Sequence, residues 1–231
     1  ETWSRTTNVD AVEVIMTIPL LTGEKALVRG DNDAFGSYED NGQSKLFGSC
    51  FYSDIKFNVS GNIMSLLHGE KFISSTNVLE YDYTFLNLFY DSWGQHNDAP
   101  AHCMIVNAKN LILPATTLAE GCYQYMFYDC TSLTTAPALP ATTLASYCYS
   151  NMFYGCTTLT TAPELLATTL TTECYSYMFY GCTALTTAPE LPAIMLTSSC
   201  YYRMFYGCTE LTNVPSLPAT TLTPNCYREM F

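Results

Sequence analysis

The sequence predicts a repeat solenoid of short strands and turns, preceded by a small antiparallel β domain. Two observations lead to this fold class. From about residue 104 to the last residue, several residue types recur at a fixed step of 26 positions. Before residue 68 no such repeat exists, and β-branched and apolar runs alternate with turns rich in Gly, Asp and Asn. The chain is thus divided into a β domain (1–67), a transition (68–112) and the repeats (113–231).

Three runs in the N-terminal segment are predicted strands: "VEVIMTIPL" (12–20), "KALVRG" (25–30) and "IKFNVSGNIMSLL" (55–67). The ends of a solenoid need a cover, so this domain is predicted to cap the first coil. Its first residues are typical of the inside of a β module, and Met230-Phe231 stand in the middle of a coil. We therefore expect the native protein to continue beyond both ends, or partners to cover them.

Within the transition, "YTFLNLFYDS" (83–92) is predicted to be a degenerate first repeat. The segment after it is about ten residues longer than its counterparts, which indicates an inserted loop. This loop holds Trp93, His96 and His102, the most chemically varied group in the chain. It is predicted either to bind a partner or a metal, or to be an ordinary solvated loop.

The 26-residue step is shared by cysteine, phenylalanine, leucine and proline. The main ladders are Cys122, Cys148, Cys174, Cys200 and Cys226; Cys130, Cys156, Cys182 and Cys208; Phe127, Phe153, Phe179, Phe205 and Phe231; Leu118, Leu144, Leu170, Leu196 and Leu222; and Pro137, Pro163, Pro189 and Pro215. A single coil cannot bury its own apolar face, whereas coils stacked about 4.8 Å apart bury like residue on like residue. The repeated positions are therefore predicted to point inward. The period lies in the range of leucine-rich repeats.

Composition argues against a nucleic-acid partner and against a transmembrane segment. The formal net charge is −12, and the nine Lys and Arg residues form no run, which argues against nucleic-acid binding. No apolar stretch reaches the roughly 18 residues that a membrane span requires, so no transmembrane segment is predicted. Searches for a phosphate loop, a nucleophile elbow or a paired His-Glu motif also find nothing, and no cofactor is predicted.

The eleven cysteines allow three interpretations. Buried free thiols that fill the interior are favoured, because free Cys packs as a small apolar residue. Disulfides between adjacent coils are a second interpretation, since stacked Cα atoms about 5 Å apart lie within bridging distance. Metal binding is the third, and the Cys-x7-Cys spacing without His in the repeats argues against zinc.

The unit "CYSNMFYGCTTLTTAPELLATTL" (148–170) resembles the BspA-type leucine-rich repeats of bacterial surface proteins. The similarity lies in Met152-Phe153, Cys156 and Leu159, and it extends over about residues 104–231. The Leu-x-Leu of ordinary leucine-rich repeats is absent, and Pro137 and its equivalents interrupt that segment, so short strands are expected. The resemblance implies a bacterial cell-surface or secreted protein that adheres to host or microbial proteins or glycans.

Two sets of positions vary from one repeat to the next. They are the triplet after each "ATTL" and the pair after each Cys-Tyr, and we interpret them as a solvent-facing recognition stripe, with simple drift at exposed positions as the alternative. The candidate binding residues are Gln124, Tyr125, Tyr147, Ser150, Asn151, Glu173, Ser176, Tyr177, Tyr202 and Arg203, together with Trp93 and His96 of the inserted loop. Fixed tyrosines beside them form either an aromatic strip or half-buried packing.

The sequence therefore predicts a non-enzymatic binding protein. A structural stalk that displays another domain is the alternative. An enzyme ranks third, because its best candidates, His96 or His102 with Cys103, have no orienting acid at a recognisable spacing.

Overall fold

A computed structural model describes residues 38–40, 43–45, 51, 56–68, 77–90 and 103–231 of the chain. Strands β1 (Tyr38–Asp40) and β2 (Gln43–Lys45) form an antiparallel pair. The sequence between them is Asn-Gly, the pair that two-residue hairpin connections favour. The predicted strands at 12–20 and 25–30 lie outside the described residues.

Strand β3 (Phe57–Asn62) pairs with β4 (Ile105–Ile112), and this pairing is parallel. The prediction of a strand over 55–67 is wrong at its C-terminal end, because helix α1 (Ser65–His68) follows a turn. The Asn62 side chain causes the change, since its Oδ1 accepts a hydrogen bond from the Met64 amide at 2.9 Å. Backbone hydrogen bonds then join β4 to the repeats, from Ala108 N to Thr135 O at 2.9 Å and from Thr134 N to Val106 O at 2.9 Å.

Consecutive 26-residue units lie in register on one another. Parallel bridges pair Thr117 with Thr143, Thr161 with Thr187, and Thr169 with Met195. Each bridge is isolated, as expected for strands interrupted by proline. The prediction that the repeated residues point inward is confirmed through residue 205 for the Cys and Phe ladders and for the Met that precedes each Phe, all of which are buried. It is wrong at Leu222 and Phe231, which are exposed.

Each unit contains a twelve-residue segment that we call the turn ribbon. The turn ribbons are residues 119–130, 145–156, 171–182 and 197–208. Their amides alternate between two partners. In the first ribbon, Cys122, Gln124 and Met126 donate to the carbonyl three residues earlier, which closes tight turns. The residues between them, Gly121, Tyr123 and Tyr125, donate to carbonyls of the next ribbon. Both sets of buried amides are thereby satisfied without a helix or a continuous strand.

Aromatic rings continue the stack inside the molecule. Phe153 and Phe179 stack with centroids 5.6 Å apart, and Phe179 and Phe205 with centroids 5.7 Å apart. A parallel column of buried tyrosines repeats this geometry, with Tyr149 and Tyr175 5.9 Å apart. Offset stacking at these distances suits the quadrupoles of aromatic rings. Each core ring is therefore packed by its counterparts in the adjacent units.

The second cysteine of each unit makes a hydrogen bond as well as filling space. The thiols of Cys156, Cys182 and Cys208 donate to the carbonyl oxygens of Phe127, Phe153 and Phe179 at 3.2, 3.1 and 3.1 Å. Eight repeat cysteines are free thiols in the described part of the chain, and seven of them are buried, as the favoured interpretation predicts, while Cys208 is partly exposed. A ninth, Cys130, forms a disulfide with Cys103, the residue that begins this column.

Replacing both Cys103 and Cys130 with serine is expected to lower the free energy of unfolding by about 3–4 kcal/mol. The bridge closes a loop with a sequence separation of 27, and its loss restores chain entropy to the unfolded state. Urea unfolding measures the change. The double variant should be insensitive to a reducing agent that destabilises the wild-type protein. Equal stability of the two proteins under oxidising conditions would contradict the prediction.

Residues 81–90 lie on the first ribbon as an additional layer. Phe85 N donates to Cys122 O at 2.8 Å, and Phe89 N donates to Met126 O at 3.1 Å. The rings of Phe89 and Phe127 stack 5.1 Å apart. The step between these two phenylalanines is 127 − 89 = 38 residues, twelve more than the usual 26. The extra residues fall in the predicted inserted loop. Residues 91–102, which include most of this loop, lie outside the described residues. Among the residues described, no helix is long and apolar enough to cross a membrane.

Candidate recognition surface

The variable positions coincide with unusual backbone. The last residue of each variable triplet has a positive φ, as at Tyr147 (59°) and Glu173 (52°). The second residue of each variable pair does too, as at Asn151 (57°) and Arg203 (51°). Each is the third residue of a tight turn, a place where type II turns require positive φ. Because β-branched residues are strained in this conformation, these positions vary only within a restricted set of residues.

A matched pair of substitutions at Glu173 tests this constraint. Glu173→Val is expected to lower the free energy of unfolding by about 1–3 kcal/mol, because a β-branched side chain disfavours positive φ. Glu173→Gly is expected to keep or raise stability by up to about 1 kcal/mol, since the first unit has Gly121 at this position. Glu190→Val, at an exposed residue without positive φ, is the control in urea unfolding. Similar losses at both valine variants would contradict the constraint.

The structure corrects the expected exposure of two candidate residues. Ser150 and Ser176 are buried, with exposed fractions of 2% and 0%. Asn151 Nδ2 donates to Ser150 Oγ at 2.8 Å, and Ser176 Oγ donates to Tyr202 O at 3.5 Å. A serine side chain is short enough to stay beneath its neighbours. Gln124 and Tyr202, the longer residues at this position in other units, are partly exposed.

The remaining repeat candidates are partly exposed. They are Gln124, Tyr125, Tyr147, Asn151, Glu173, Tyr177, Tyr202 and Arg203. One contact joins Tyr147 to the next unit, where its hydroxyl lies 3.5 Å from Glu173 Oε1. The pKa of Tyr147 is raised by the negative charge of Glu173, with burial as the second cause. Trp93 and His96 lie outside the described residues.

The fixed tyrosines divide into an interior column and a surface strip. Tyr123, Tyr149, Tyr175 and Tyr201 are fully buried, so they are packing residues. The tyrosine strip comprises Tyr90, Tyr128, Tyr154, Tyr180 and Tyr206, which are all partly exposed. Adjacent rings in it lie 4.5, 4.6, 4.6 and 5.2 Å apart. Because neighbouring rings cover one another's faces, the strip offers mainly ring edges and hydroxyl groups to a partner.

Variable tyrosines form corners with this strip. The rings of Tyr125 and Tyr128 meet at 58° with centroids 5.5 Å apart. Two units further on, Tyr177 and Tyr180 meet at 47° with centroids 5.8 Å apart. The strip ring of each pair is also packed between its two neighbours in the strip. The two corners differ in the residue that follows by 26 positions, which is Asn151 for Tyr125 and Arg203 for Tyr177.

Arg203 lies among three tyrosine rings beside the second corner. Its Cζ lies 5.9 Å from the ring centroid of Tyr177, 5.2 Å from that of Tyr202 and 5.6 Å from that of Tyr206. Its Nε donates to Glu229 Oε2 at 2.7 Å, which adds a charged hydrogen bond. A guanidinium among ring faces is a favourable cation–π arrangement. This surface therefore binds a cation that the chain itself supplies.

The two tyrosines of the first corner have raised pKa values, to which carboxylates contribute. The pKa of Tyr125 is raised by burial and by the charge of Glu173. The pKa of Tyr128 is also raised, again by burial first and then by the charge of Asp129. The carboxyl of Asp129 is itself partly buried, which raises its pKa. Among the described residues, the ion pairs are Arg203–Glu229 and Arg228–Glu229, so neither of these two carboxylates is paired there.

Burial keeps the thiols of Cys148, Cys174 and Cys182 neutral. Burial raises the pKa of Cys174 to about 12, and it raises the pKa of Cys148 and Cys182 far above the ordinary value of a thiol. A neutral, buried thiol neither attacks substrates nor ligates metals. In the described ranges there is also no group of three or more His, Cys, Asp or Glu side chains placed to hold a metal.

No family model matches the chain, and no curated protein and no solved structure is significantly similar to it. The resemblance of the 26-residue units to BspA-type repeats therefore stays a prediction from sequence.

Proposed function

We propose that the chain is a non-enzymatic binding protein of the bacterial cell surface, or a secreted one. In this proposal the stacked units are a leucine-rich-repeat-like solenoid, and the turn ribbons present their variable side chains to a protein or glycan on a host or microbial surface. The observation that carries the proposal is the tyrosine strip with its variable corners. A fixed backbone there holds side chains that differ from unit to unit, which is how a recognition surface gains specificity on a constant scaffold.

Two further observations support the proposal. The Cys103–Cys130 disulfide suits an oxidising compartment, where such bridges persist. The exposed positions are also rich in Tyr, Asn, Ser and Arg, which give contact area and adaptable hydrogen bonds at small entropic cost.

A protein and glycan array tests this function. The wild-type protein is compared with a variant in which the partly exposed variable residues are exchanged between units, so that composition and backbone requirements are kept. Ser150 and Ser176 stay unchanged because they are buried. We expect the exchanged variant to keep its circular dichroism spectrum and melting temperature and to lose binding. Equal binding of both proteins would contradict recognition by these residues.

A structural stalk is the second candidate, and the regular stack favours it. An uninterrupted series of identical core layers gives length and stiffness without requiring any ligand. A stalk predicts that neither protein binds any array component.

A further inference from the structure

We infer that the tyrosine strip is a site of oxidative modification, at which one-electron oxidants join the phenol rings of adjacent units through a carbon–carbon bond and so form dityrosine. The bonds are placed between adjacent members of the series Tyr128, Tyr154, Tyr180 and Tyr206. This inference goes beyond the proposed binding function and does not depend on it. It is drawn from the distances, the ring angles and the exposure of these side chains.

The strip rings lie face to face at close range. The centroids of Tyr128 and Tyr154 are 4.6 Å apart with 10° between the ring planes, and those of Tyr154 and Tyr180 are 4.6 Å apart with 2° between the planes. The unpaired electron of a tyrosyl radical occupies a π orbital perpendicular to the ring. Two radicals that lie face to face therefore direct these orbitals at each other, whereas two rings at right angles do not.

The strip can also release the protons that oxidation of a phenol sets free. Tyr128, Tyr154 and Tyr180 are partly exposed, so water at the surface can accept the phenolic proton as the electron leaves. The interior tyrosine column differs, because Tyr149 is buried and its hydroxyl has no hydrogen-bond partner in the described part of the chain. Oxidation there would leave a charged radical in an apolar interior, which is strongly unfavourable. We therefore expect the interior column to stay unmodified.

The electrons and protons of the reaction balance. Two tyrosines each give one electron to an oxidant, such as the haem centre of a peroxidase that hydrogen peroxide has oxidised, and each releases its phenolic proton to water. The two radicals then form one bond between ring carbons ortho to the oxygens. The hydrogen on each of these carbons moves to the oxygen of its own ring, which restores both phenols. Hydrogen peroxide takes up the two electrons and the two protons and is reduced to two water molecules.

Such bonds would tie successive turn ribbons together at the surface. Tyr128 and Tyr154 are 26 residues apart in the sequence and belong to consecutive ribbons. A covalent link between them restricts the unfolded chain as a disulfide does, and it is not reversed by thiols. The oxidised protein is therefore expected to unfold at higher urea concentrations than the untreated protein.

Oxidation of the purified protein tests the inference. The oxidant is tris(bipyridine)ruthenium(III), generated by visible light with persulfate as the electron acceptor. Dityrosine is measured by its fluorescence, and the joined residues are located by mass spectrometry of peptic fragments after reduction of disulfides. We expect bonds within the strip, in a yield that does not change when the protein is diluted, because they form within one chain. Absence of dityrosine, or a yield that falls on dilution, would overturn the inference.

A second pair of exposed tyrosines is the matched control for ring geometry. The rings of Tyr177 and Tyr202 are 5.1 Å apart but meet at 81°, and both residues are partly exposed. The strip pair Tyr180 and Tyr206 has nearly the same separation, 5.2 Å, with only 15° between the planes. We expect a bond between Tyr180 and Tyr206 and none between Tyr177 and Tyr202. Equal yields at the two pairs would contradict the assignment to stacked rings.

Two conservative variants locate the modification. Tyr154→Phe keeps the ring and its stacking but removes the hydroxyl from which the radical forms, so both bonds of residue 154 should be lost and total dityrosine should fall. Its urea midpoint should also rise less on oxidation than that of the wild-type protein. Tyr202→Phe removes a hydroxyl from the perpendicular pair and should keep the wild-type yield. If the two variants lower dityrosine equally, the strip is not the site.

Discussion

Raising the pH from 8 to 10 is expected to unfold the protein. Five thiols are fully buried and have raised pKa values: Cys122, Cys148, Cys156, Cys174 and Cys182. In the folded chain they stay neutral, whereas in the unfolded chain they ionise with an ordinary pKa of about 8.5. The unfolded state therefore binds fewer protons above that pH, and stability falls as pH rises.

The loss of stability can be estimated from the difference between pH 10 and the pKa of about 8.5 that a thiol has in the unfolded chain. At pH 10, ionisation of each of these thiols in the unfolded chain lowers the free energy of the unfolded state by about 2 kcal/mol relative to neutral pH. The five thiols together reach about 10 kcal/mol, which equals the whole stability of a typical domain. The loss begins near pH 8.5 and continues towards pH 12, the value to which burial raises the pKa of Cys174.

Urea unfolding at half-unit steps of pH, under argon, measures this dependence. Cys50 lies outside the described residues, so Cys50→Ser is the background for all proteins. Cys174→Ala is the matched variant, since it removes one titrating thiol from the buried column. Its stability should be lower at pH 7 and should fall less steeply with pH, by about one proton. Equal slopes in the two proteins would show that the buried thiols do not control alkaline stability.

The sequence predicts the inward ladders because the same residue types recur every 26 positions at most buried places in the units. Cys148, Met152 and Phe153 recur, and the structure buries all three. Stacking leaves no freedom at such a position, since each side chain must fit its copies in the units above and below. The predicted solenoid class itself remains our proposal, although the described units do stack in register.

The sequence predicts the exposed side less well. Variation at Ser150 and Ser176 suggested exposure, yet both are buried, because a variable position can also be one where a small residue lies under its neighbours. The positive φ values were also missed. Their signal was present, since Gly121 stands at one of these positions and no β-branched residue occurs at either of them. A third position of positive φ, directly after each strip tyrosine, holds Gly155, Gly181 and Gly207.

The parallel pairing of β3 with β4 could not be predicted from sequence. Alternation of side chains identifies a strand but does not identify its partner, which depends on where the chain returns. The contact of Arg203 with the Tyr177 ring could not be predicted either. It depends on the stacking register, which places residues 26 positions apart side by side.

If the units are interchangeable layers joined by register, two deletions of different length should have opposite effects on folding. Removing residues 149–174 takes out one 26-residue period and joins Cys148 to Tyr175, which restores the Cys-Tyr sequence. Removing residues 149–161 takes out half a period and joins Cys148 to Ala162. The second deletion is smaller, but it places each later residue against the wrong column.

Thermal unfolding followed by circular dichroism distinguishes the outcomes. We expect the full-period deletion to keep the wild-type spectrum and a single cooperative transition at a slightly lower temperature, because one layer and one interface are lost. The half-period deletion should lose the cooperative transition although it removes fewer residues. If the half-period deletion unfolds as the full-period deletion does, or if the full-period deletion fails to fold, stacking in register does not determine this structure.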